Sequence, residues 1–173
     1  MTTTPTTPPD VQTAADACRE LNLTGLAPGL ADLCQTAIRR KLTYPTFLTE
    51  ALTIELDIRH ERRRARRVQE ARLPRIKTLD EFDCAANPAI TAAIIGMLAS
   101  GDYIERSEPV VFLGNSGTGK SHLLIGACLA AAEAGKRVRY TTCAQLANEL
   151  CEAQDDHRLS RAVTRYGRLD LLA

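Results

Sequence analysis

A stretch near the middle of the chain has the residue types and spacing of a phosphate-binding loop. Residues 114–121 read Gly-Asn-Ser-Gly-Thr-Gly-Lys-Ser, with an apolar run before them and an apolar helical pattern after them. Glycines let the backbone curl so that successive N–H groups point at phosphate oxygens, and the helix that follows adds the positive end of its dipole. The pattern therefore predicts a binding site for a nucleoside triphosphate.

Single residues of this loop have distinct expected roles. Lys120 is predicted to reach the β- and γ-phosphates, and Ser121 to offer its hydroxyl oxygen to the Mg²⁺ that bridges them, since hard cations prefer oxygen ligands. A turn that binds no ligand is disfavoured, because a lysine at a buried helix start needs an anion beside it. His122, a lone histidine, is expected to pack and not to bind metal. The predicted ATP-binding residues are Gly114, Asn115, Ser116, Gly117, Thr118, Gly119, Lys120 and Ser121.

The hydrophobic pattern around the loop predicts an α/β fold with a parallel sheet. A continuously apolar run before the loop predicts a buried strand, and the helix after the loop should end at Gly135 before a second strand begins. Two shorter helices then lead to a third apolar run, inside which the chain stops, so the sheet is expected to be incomplete at the C-terminus. The predicted strands are 110–113, 137–141 and 169–173, and the helices are 121–134, 143–153 and 159–166.

A small all-helical domain is predicted to precede the sheet. Residues 1–10 are rich in Thr and Pro and predict a disordered tail. The composition changes from Arg-rich to neutral near residue 75, which predicts a helical domain at 11–75 and a nucleotide-binding domain at 76–173. Residues 79–86 are interpreted as a linker. Apolar spacings of three and four predict helices at about 11–23, 28–42, 44–72 and 87–100.

The second half of the longest predicted helix concentrates positive charge. Nine basic and two acidic residues lie between Arg59 and Lys77, a local charge of +7 in a chain whose net charge is +1. One interpretation is a solvated basic face that pairs with acidic neighbours. The other is a surface that contacts DNA phosphates. Few aromatic residues are interleaved, so stacking on single-stranded bases is not expected to dominate. The candidate DNA-binding residues are Arg59, Arg62, Arg63, Arg66 and Arg67.

The cysteines and the N-terminal sequence predict a cytoplasmic protein. Six cysteines are scattered without Cys-x-x-Cys pairs, which predicts free thiols in a reducing compartment. The first residues lack a basic segment followed by an apolar core, so no signal peptide is expected. No apolar run approaches the length needed to cross a bilayer, and a membrane is therefore not an expected partner.

Several segments besides the loop resemble the IstB-like ATP-binding proteins. These are helper ATPases of insertion-sequence transposition, related to the DnaC-type helicase loaders within the AAA+ class. The resemblance covers roughly residues 21–173, and several segments that match in order are more specific than a phosphate loop alone. The matching segments are 23–26, 44–48, 77–83, 87–88, 114–122 and 168–172.

The resemblance implies an AAA+-like P-loop NTPase fold behind a helical region used for self-assembly and for contact with DNA or a partner. ATP and Mg²⁺ are the implied cofactors, with Lys120 as phosphate contact and Ser121 as metal ligand. DNA, a transposase and, for the full-length protein, further copies of the chain are the implied partners. The loop has Asn-Ser where the family commonly has Pro-Pro, which small polar residues should tolerate because N–H groups hold the phosphates. The family's Asp-Glu pair, polar sensor and arginine from a neighbouring subunit would lie beyond Ala173.

Three functional hypotheses remain open from the sequence. The first is an ATP-dependent helper of DNA transposition, and the second is a nucleotide- and DNA-binding module without hydrolysis. The second stays open because no catalytic carboxylate is identifiable: Asp170 precedes the final apolar run and is interpreted as a strand-edge residue that faces solvent. The third is a helicase loader of DNA replication, which shares the fold but has a different partner. A small-molecule kinase is disfavoured by the basic helical region.

Overall fold

The computed structural model describes the backbone of residues 9–173. The described part is mainly helical, with one two-stranded parallel sheet. The chain divides into two compact units, Met1–Arg62 and Arg63–Ala173. No described helix has both the length and the apolar character needed to span a membrane. The elements are α1 (Pro9–Glu20), a 3₁₀ turn (Ala27–Gly29), α2 (Leu30–Arg40), α3 (Tyr44–Glu70), α4 (Ala92–Ser100), α5 (Asp102–Glu105), α6 (Lys120–Glu133), β1 (Val138–Arg139), α7 (Cys143–Asp155), α8 (Leu159–Tyr166) and β2 (Leu171–Leu172).

The predicted disordered tail falls mainly on residues 1–8, which lie outside the described residues. Pro9 and Asp10, the last two residues of that prediction, form the start of α1 instead. Proline suits this position because the first helical N–H has no intrahelical partner, and an acidic residue in the first turn complements the helix dipole. The prediction of a disordered tail at 1–10 stays a prediction, while the described chain begins α1 at Pro9.

A small apolar cluster forms the core of the first unit. Ala15 of α1, Leu26, Leu30 of α2 and Ala51 of α3 are buried together. The apolar spacings of three and four that predict these helices place the buried residues on inward faces. Helix α2 ends at Lys41, whose backbone takes the left-handed conformation with a φ of 52°. The predicted helices of this unit are confirmed.

One carboxylate is buried inside the first unit. Glu55 is 3% exposed, and its Oε2 accepts hydrogen bonds from the N–H groups of Gly25 at 2.7 Å and Leu26 at 2.9 Å. Its Oε1 pairs with Nε of Arg59 at 2.7 Å. Desolvation acts to raise the pKa of this carboxyl group, but the bonds from Arg59 and the two amides hold the pKa below its usual value. Because the buried charge is fully bonded, Glu55 fixes the turn before α2.

Helix α6 is the centre of the second unit. Its residues Leu123, Ile125 and Cys128 are at most 2% exposed, and the helix joins two apolar clusters that also contain Leu98 of α4 and Val138 of β1. Burial raises the pKa of the Cys128 thiol to about 11, so this side chain is a neutral packing group. All six cysteines are free thiols, as predicted.

The sheet consists of two short parallel strands. Val138 lies opposite Leu171 and Arg139 opposite Leu172, and α7 and α8 form the connection between the strands. Both strands fall inside predicted ones, but each is only two residues long. The prediction of a parallel sheet is therefore confirmed for two of its three strands.

An ion pair connects the starts of the two strands. The carboxylate of Asp170 accepts a hydrogen bond from the backbone N–H of Arg137 at 2.7 Å and another from its guanidinium group at 3.0 Å. These bonds lower the pKa of Asp170 to about 2. The interpretation of Asp170 as a strand-edge residue that faces solvent missed this ion pair, because its partner lies 33 positions away in the sequence.

The predicted strand at 110–113 is not assigned to the sheet. Val110 and Phe112 pack against an apolar cluster, while Val111 and Leu113 are 72% and 88% exposed, so the segment is not buried on both faces. A cavity of about 190 Å³ lies between this segment and the C-terminal end of β2. Ladder hydrogen bonds require strands about 4.8 Å apart, and none is assigned between these two segments. The prediction of a strand at 110–113 is therefore wrong for the described chain.

Helix α4 begins later than predicted. The sequence predicts a helix from residue 87, but α4 starts at Ala92 because Thr91 caps it: its hydroxyl accepts a hydrogen bond from the N–H of Ile94 at 3.4 Å. The residue before Pro88 is also disfavoured in a helical conformation. Residues 87–91 are thus free to contact the loop before α6.

Candidate nucleotide site and basic surfaces

The loop predicted to hold phosphate leads directly into α6, and its backbone takes conformations that its glycines permit. Gly117 and Gly119 have φ values of 81° and 86°, in the left-handed region that other residues rarely adopt. A Cβ atom on Gly119 would also lie 2.5 Å from Cε2 of Phe82. Glycine is required at position 119 both by the backbone angle and by this neighbour.

Two side chains of the loop converge on one carbonyl group. Nζ of Lys120 donates to the carbonyl oxygen of Asn115 at 2.6 Å, and Oγ1 of Thr118 donates to the same oxygen at 2.9 Å. These bonds close the loop over the start of α6. The ammonium group of Lys120 is thereby held beside the loop and does not extend into solvent.

The first turn of α6 offers N–H groups to a ligand. Gly119 is its N-cap residue and has no side chain to accept from them. Within the described chain, no acceptor bonds to the N–H groups of Lys120, Ser121 or His122. Uncapped amides at a helix N-terminus carry partial positive charge and suit an anion. The arrangement fits a phosphate group held by amides, with the Lys120 ammonium beside it.

The metal prediction rests on one hydroxyl group. Ser121 is exposed at the first turn of α6, so its oxygen is accessible. No group of three His, Cys, Asp or Glu side chains suited to a metal ion occurs among residues 9–173. A single hydroxyl ligand is compatible with Mg²⁺, which commonly keeps several waters and binds phosphate oxygens.

Residues 78–87, which we call the strap, pack against the loop and α6. Leu79 is 7% exposed and lies against α6. The carbonyl oxygen of Thr78 is hydrogen-bonded to Nε2 of His122 at 2.8 Å, and the ring of Phe82 meets the His122 ring edge to face. The interpretation of this segment as a linker is therefore wrong, whereas His122 is the half-buried packing residue that was expected.

The end of the strap bonds to the loop itself. Nδ2 of Asn87 donates to the carbonyl oxygen of Thr118 at 3.1 Å. Because Thr118 lies between Gly117 and Gly119, this bond restrains a backbone that is otherwise unusually free. The sequence analysis missed Phe82 and Asn87 as site residues. Both belong to segments that carry the family resemblance, but their contacts with the loop span some 30 positions and leave no local pattern.

Two of the arginines predicted to contact DNA are engaged within the first unit. Arg59 pairs with Glu55 and also donates to the carbonyl oxygen of Asn22 at 2.8 Å. Arg62 donates to the hydroxyl group of Thr24. Both side chains therefore stabilise the turn before α2, and a role for them on DNA stays a prediction.

Among the other three arginines predicted to contact DNA, the one carboxylate partner in the described chain is that of Glu70. Arg66 and Arg67 pair with Glu70 at 2.8 and 3.0 Å, but the side chain of Arg66 remains 78% exposed. Arg63 is exposed, and within the described chain its guanidinium group has no hydrogen-bond or ion-pair partner. This end of α3 thus keeps a net positive charge that its neighbours do not neutralise.

A second group of arginines was not predicted. Its members recur at spacings of three, four and three along α8 and its flanks, which places them on one helix face. They line an open cavity of about 780 Å³ with the side chains of Ser160 and Thr164. The spacing is visible in the sequence, but the segment was treated only as a connecting helix. These residues are Arg158, Arg161, Arg165 and Arg168.

The chain is similar to several known proteins whose names describe ATP-binding proteins of insertion sequences. The chain is 36% identical over 154 residues to the "Insertion sequence IS21 putative ATP-binding protein" of Pseudomonas aeruginosa, an alignment that covers 88% of this chain and 58% of the relative. It is 30% identical over 152 residues to the "Insertion sequence IS232 putative ATP-binding protein" of Bacillus thuringiensis subsp. berliner, covering 88% and 61%. The chain therefore spans about three fifths of the length of these relatives.

A match to a protein family also extends over most of the chain. The model of the family described as "IstB-like ATP binding protein" matches residues 16–173, which include the loop, the strap, α3 and α8. The resemblance seen in the sequence is confirmed over this whole range. The chain belongs to the IstB-like ATP-binding protein family.

Proposed function

We propose that the chain binds Mg-ATP through residues 114–121 and is part of an ATP-dependent helper of DNA transposition. The observation that carries the nucleotide site is the set of uncapped amides at Lys120, Ser121 and His122 with the Lys120 ammonium held beside them. Free amides and a lysine at one helix start are the groups that a triphosphate requires.

Each part of the site has a definite task in this proposal. The loop and first-turn amides hold phosphate oxygens, and the ammonium group of Lys120 exchanges the carbonyl of Asn115 for a phosphate oxygen. Ser121 supplies an oxygen ligand to Mg²⁺, which neutralises phosphate charge when it is bound. Asn87 and His122 keep the loop and the strap together, so that the amides need not be reorganised when the nucleotide arrives.

The role in transposition is supported by the relatives. The two relatives described above are named as ATP-binding proteins of insertion sequences, which favours this role over that of a helicase loader. The proposal includes a P-loop NTPase fold of the AAA+ class, self-association of the whole protein and recruitment of a transposase. ATP hydrolysis is a proposal for the whole protein, because no described residue is placed as its general base.

Replacement of Lys120 tests the nucleotide site. Lys120→Ala is expected to weaken binding of a fluorescent ATP analogue by about 100-fold, because it removes a charge-assisted bond to phosphate. The measurement is an equilibrium fluorescence titration of the 173-residue chain with and without Mg²⁺. Binding to the unaltered chain should require Mg²⁺.

Lys77→Ala is the matched control for this experiment. It removes the same charge from a residue that forms no ion pair within the described range and lies outside the loop. Its affinity for the analogue should equal that of the unaltered chain, and both variants should keep the same far-UV circular dichroism. Equal affinities for all three proteins would contradict the assignment of Lys120.

The arginines at the end of α3 support the proposal that the protein binds DNA. Replacing Arg63, Arg66 and Arg67 together with Ala is expected to weaken binding to all DNA sequences alike and to flatten its salt dependence, because phosphate contacts release counterions. Fluorescence anisotropy with a labelled duplex at several salt concentrations measures both quantities. If the triple variant binds like the unaltered chain, this face is only solvated or belongs to a protein interface.

A further inference from the structure

The arginine face of α8 is continuous with a second basic cavity. That cavity, of about 410 Å³, shares Arg165 and Arg168 with the first one. It adds four further arginines that lie far apart in the sequence, two from the end of α3 and the turn after it and two from the β1 region. They are Arg67, Arg72, Arg137 and Arg139.

The two cavities together have a strong excess of positive charge. Eight arginines line them, and Glu70 is the only carboxylate in their lining among the described residues. Arg161 and Arg168 are exposed and have no ion-pair partner in the described chain. Nε of Arg139 is buried and lacks a hydrogen-bond acceptor. Exposed guanidinium groups without a carboxylate partner, beside one buried guanidinium N–H without an acceptor, suit an anion.

The carboxylates near α8 pair with two of its four arginines and leave Arg161 and Arg168 without an ion pair in the described chain. Glu149 pairs with Arg165, and Asp156 lies 3.7 Å from Arg158, both from the α7 side of the helix. These acids, with Glu152, line a third cavity, which shares Arg158, Arg161 and Arg165 with the first one. The lining of the first cavity contains His157, two hydroxyl residues and the four arginines, with no carboxylate among the described residues.

We propose that α8, β1 and the C-terminal end of α3 form a surface, the α8 surface, that contacts the sugar-phosphate backbone of duplex DNA. The arginine row extends over residues 158–168, or about 15 Å at a helical rise of about 1.5 Å per residue, which corresponds to roughly four phosphates of one DNA strand at about 3.4 Å of duplex axis each. Guanidinium forks and hydroxyl groups are the usual donors to phosphate oxygens.

Duplex DNA fits this surface better than an acidic protein does. Protein interfaces depend on large apolar anchors buried at their centre; such side chains line only the second cavity (Val138, Tyr166 and Leu169), while arginine, hydroxyl and imidazole groups line the first. Phosphate contacts need only cationic and hydroxyl donors in a row. The inference rests on the proposed function, because the proposed role on DNA identifies the polyanion. It adds the arginines of α8 to the candidate DNA-binding residues given above.

The α8 surface is tested in the full 173-residue chain by fluorescence anisotropy with a labelled duplex of about 30 base pairs. Arg161→Gln with Arg168→Gln is expected to reduce DNA affinity on the order of tenfold. It should also lower the slope of log affinity against log salt by about 1.8, since each lost phosphate contact removes about 0.9. The matched control, Arg19→Gln with Arg106→Gln, removes two exposed charges elsewhere and should cause little change.

A second variant separates charge from structure. Arg161→Lys with Arg168→Lys keeps both charges and should retain the salt slope of the unaltered chain. Equal affinity of the Gln variant and its control would overturn the proposal. The same conclusion would follow if polyglutamate of equal charge displaced the duplex as readily as unlabelled DNA does, because the surface would then suit an acidic protein.

Two outcomes distinguish this inference from the proposed DNA role of α3. If Arg63→Gln with Arg66→Gln weakens binding while the α8 variant does not, the proposed role of α3 stands and the α8 surface is overturned. If the α8 variant alone weakens binding, the α8 surface is supported and the assignment of Arg63 and Arg66 fails. An unaltered chain that binds no duplex at all contradicts both.

Discussion

At the residue scale, Asp170 connects the two strands of the sheet through its bonds to Arg137. The guanidinium and backbone N–H of Arg137 lower the pKa of Asp170 from 3.8 to about 2. A carboxyl group whose pKa is depressed by folding stabilises the folded state above its unfolded pKa and loses this effect as the pH falls through the folded value. The contribution of Asp170 should therefore be complete above about pH 5 and disappear between about pH 4 and pH 2.

Asp170→Asn is expected to lower the free energy of unfolding by about 1 kcal/mol at neutral pH, a modest loss because the side chain is 31% exposed and solvent screens the pair. The loss should shrink as the pH approaches about 2. Urea unfolding at several pH values measures it. Asp80→Asn, at an exposed residue without an ion pair in the described chain, is the control. A loss of equal size at every pH would show that the charge is not responsible.

The residues that bind phosphate could be predicted because their spacing is local. Gly117, Gly119, Lys120 and Ser121 lie within five positions, and one turn of chain brings them together. Phe82 and Asn87 could not be assigned in this way, since each meets the loop across more than 30 positions. The pairing of Asp170 with Arg137 could not be predicted either, because 33 positions separate the two residues. Contacts of this kind depend on the packing of whole elements and leave no periodic signal.

At the scale of elements, the strap and the start of α6 constrain each other at Gly119. Gly119→Ala is expected to destabilise the second unit by about 1–2 kcal/mol, because its left-handed φ is strained for alanine and the new Cβ displaces Phe82. The variant should also bind the ATP analogue more weakly. Thermal unfolding and the fluorescence titration measure the two effects.

Gly96→Ala makes the same chemical change at another position and is expected to have the opposite effect on stability. Gly96 lies inside α4, where an added Cβ meets no atom within 4 Å, so alanine should stabilise the helix by up to about 1 kcal/mol. Similar melting temperatures for the two alanine variants would contradict the role given to Gly119.

The helices could be predicted more completely than the sheet. Apolar residues at spacings of three and four lie on single helix faces, and α8 has the predicted bounds of 159–166. A strand is stabilised by hydrogen bonds to a partner strand, and the residues of the first strand do not show which segment that partner is. Residues 110–113 have the apolar composition of a strand, yet a cavity separates them from β2. The arginine row on α8 has a helical spacing in the sequence, but its position beside arginines of α3 and β1 depends on the packing of these elements.

At the scale of the whole molecule, charge and apolar surface are distributed unevenly over the two units. The first unit uses arginines to hold a buried carboxylate and a turn, while the second exposes arginines around cavities and places a glycine-rich loop at a buried helix. A domain boundary near residue 75, the cytoplasmic location and self-association stay predictions. Family membership alone assigns none of these features to individual residues, which is why the nucleotide site needs a measurement at residue level.

An NMR titration of the isotope-labelled 173-residue chain with Mg-ATP tests most directly whether residues 114–121 bind the triphosphate. The largest and saturable shifts are expected at the backbone amides of Gly117, Gly119, Lys120 and Ser121, because these N–H groups would donate to phosphate oxygens. Smaller shifts should follow at Asn87 of the strap. Shifts confined to the arginines of α3 and α8, or no shifts at all, would contradict the proposed nucleotide site.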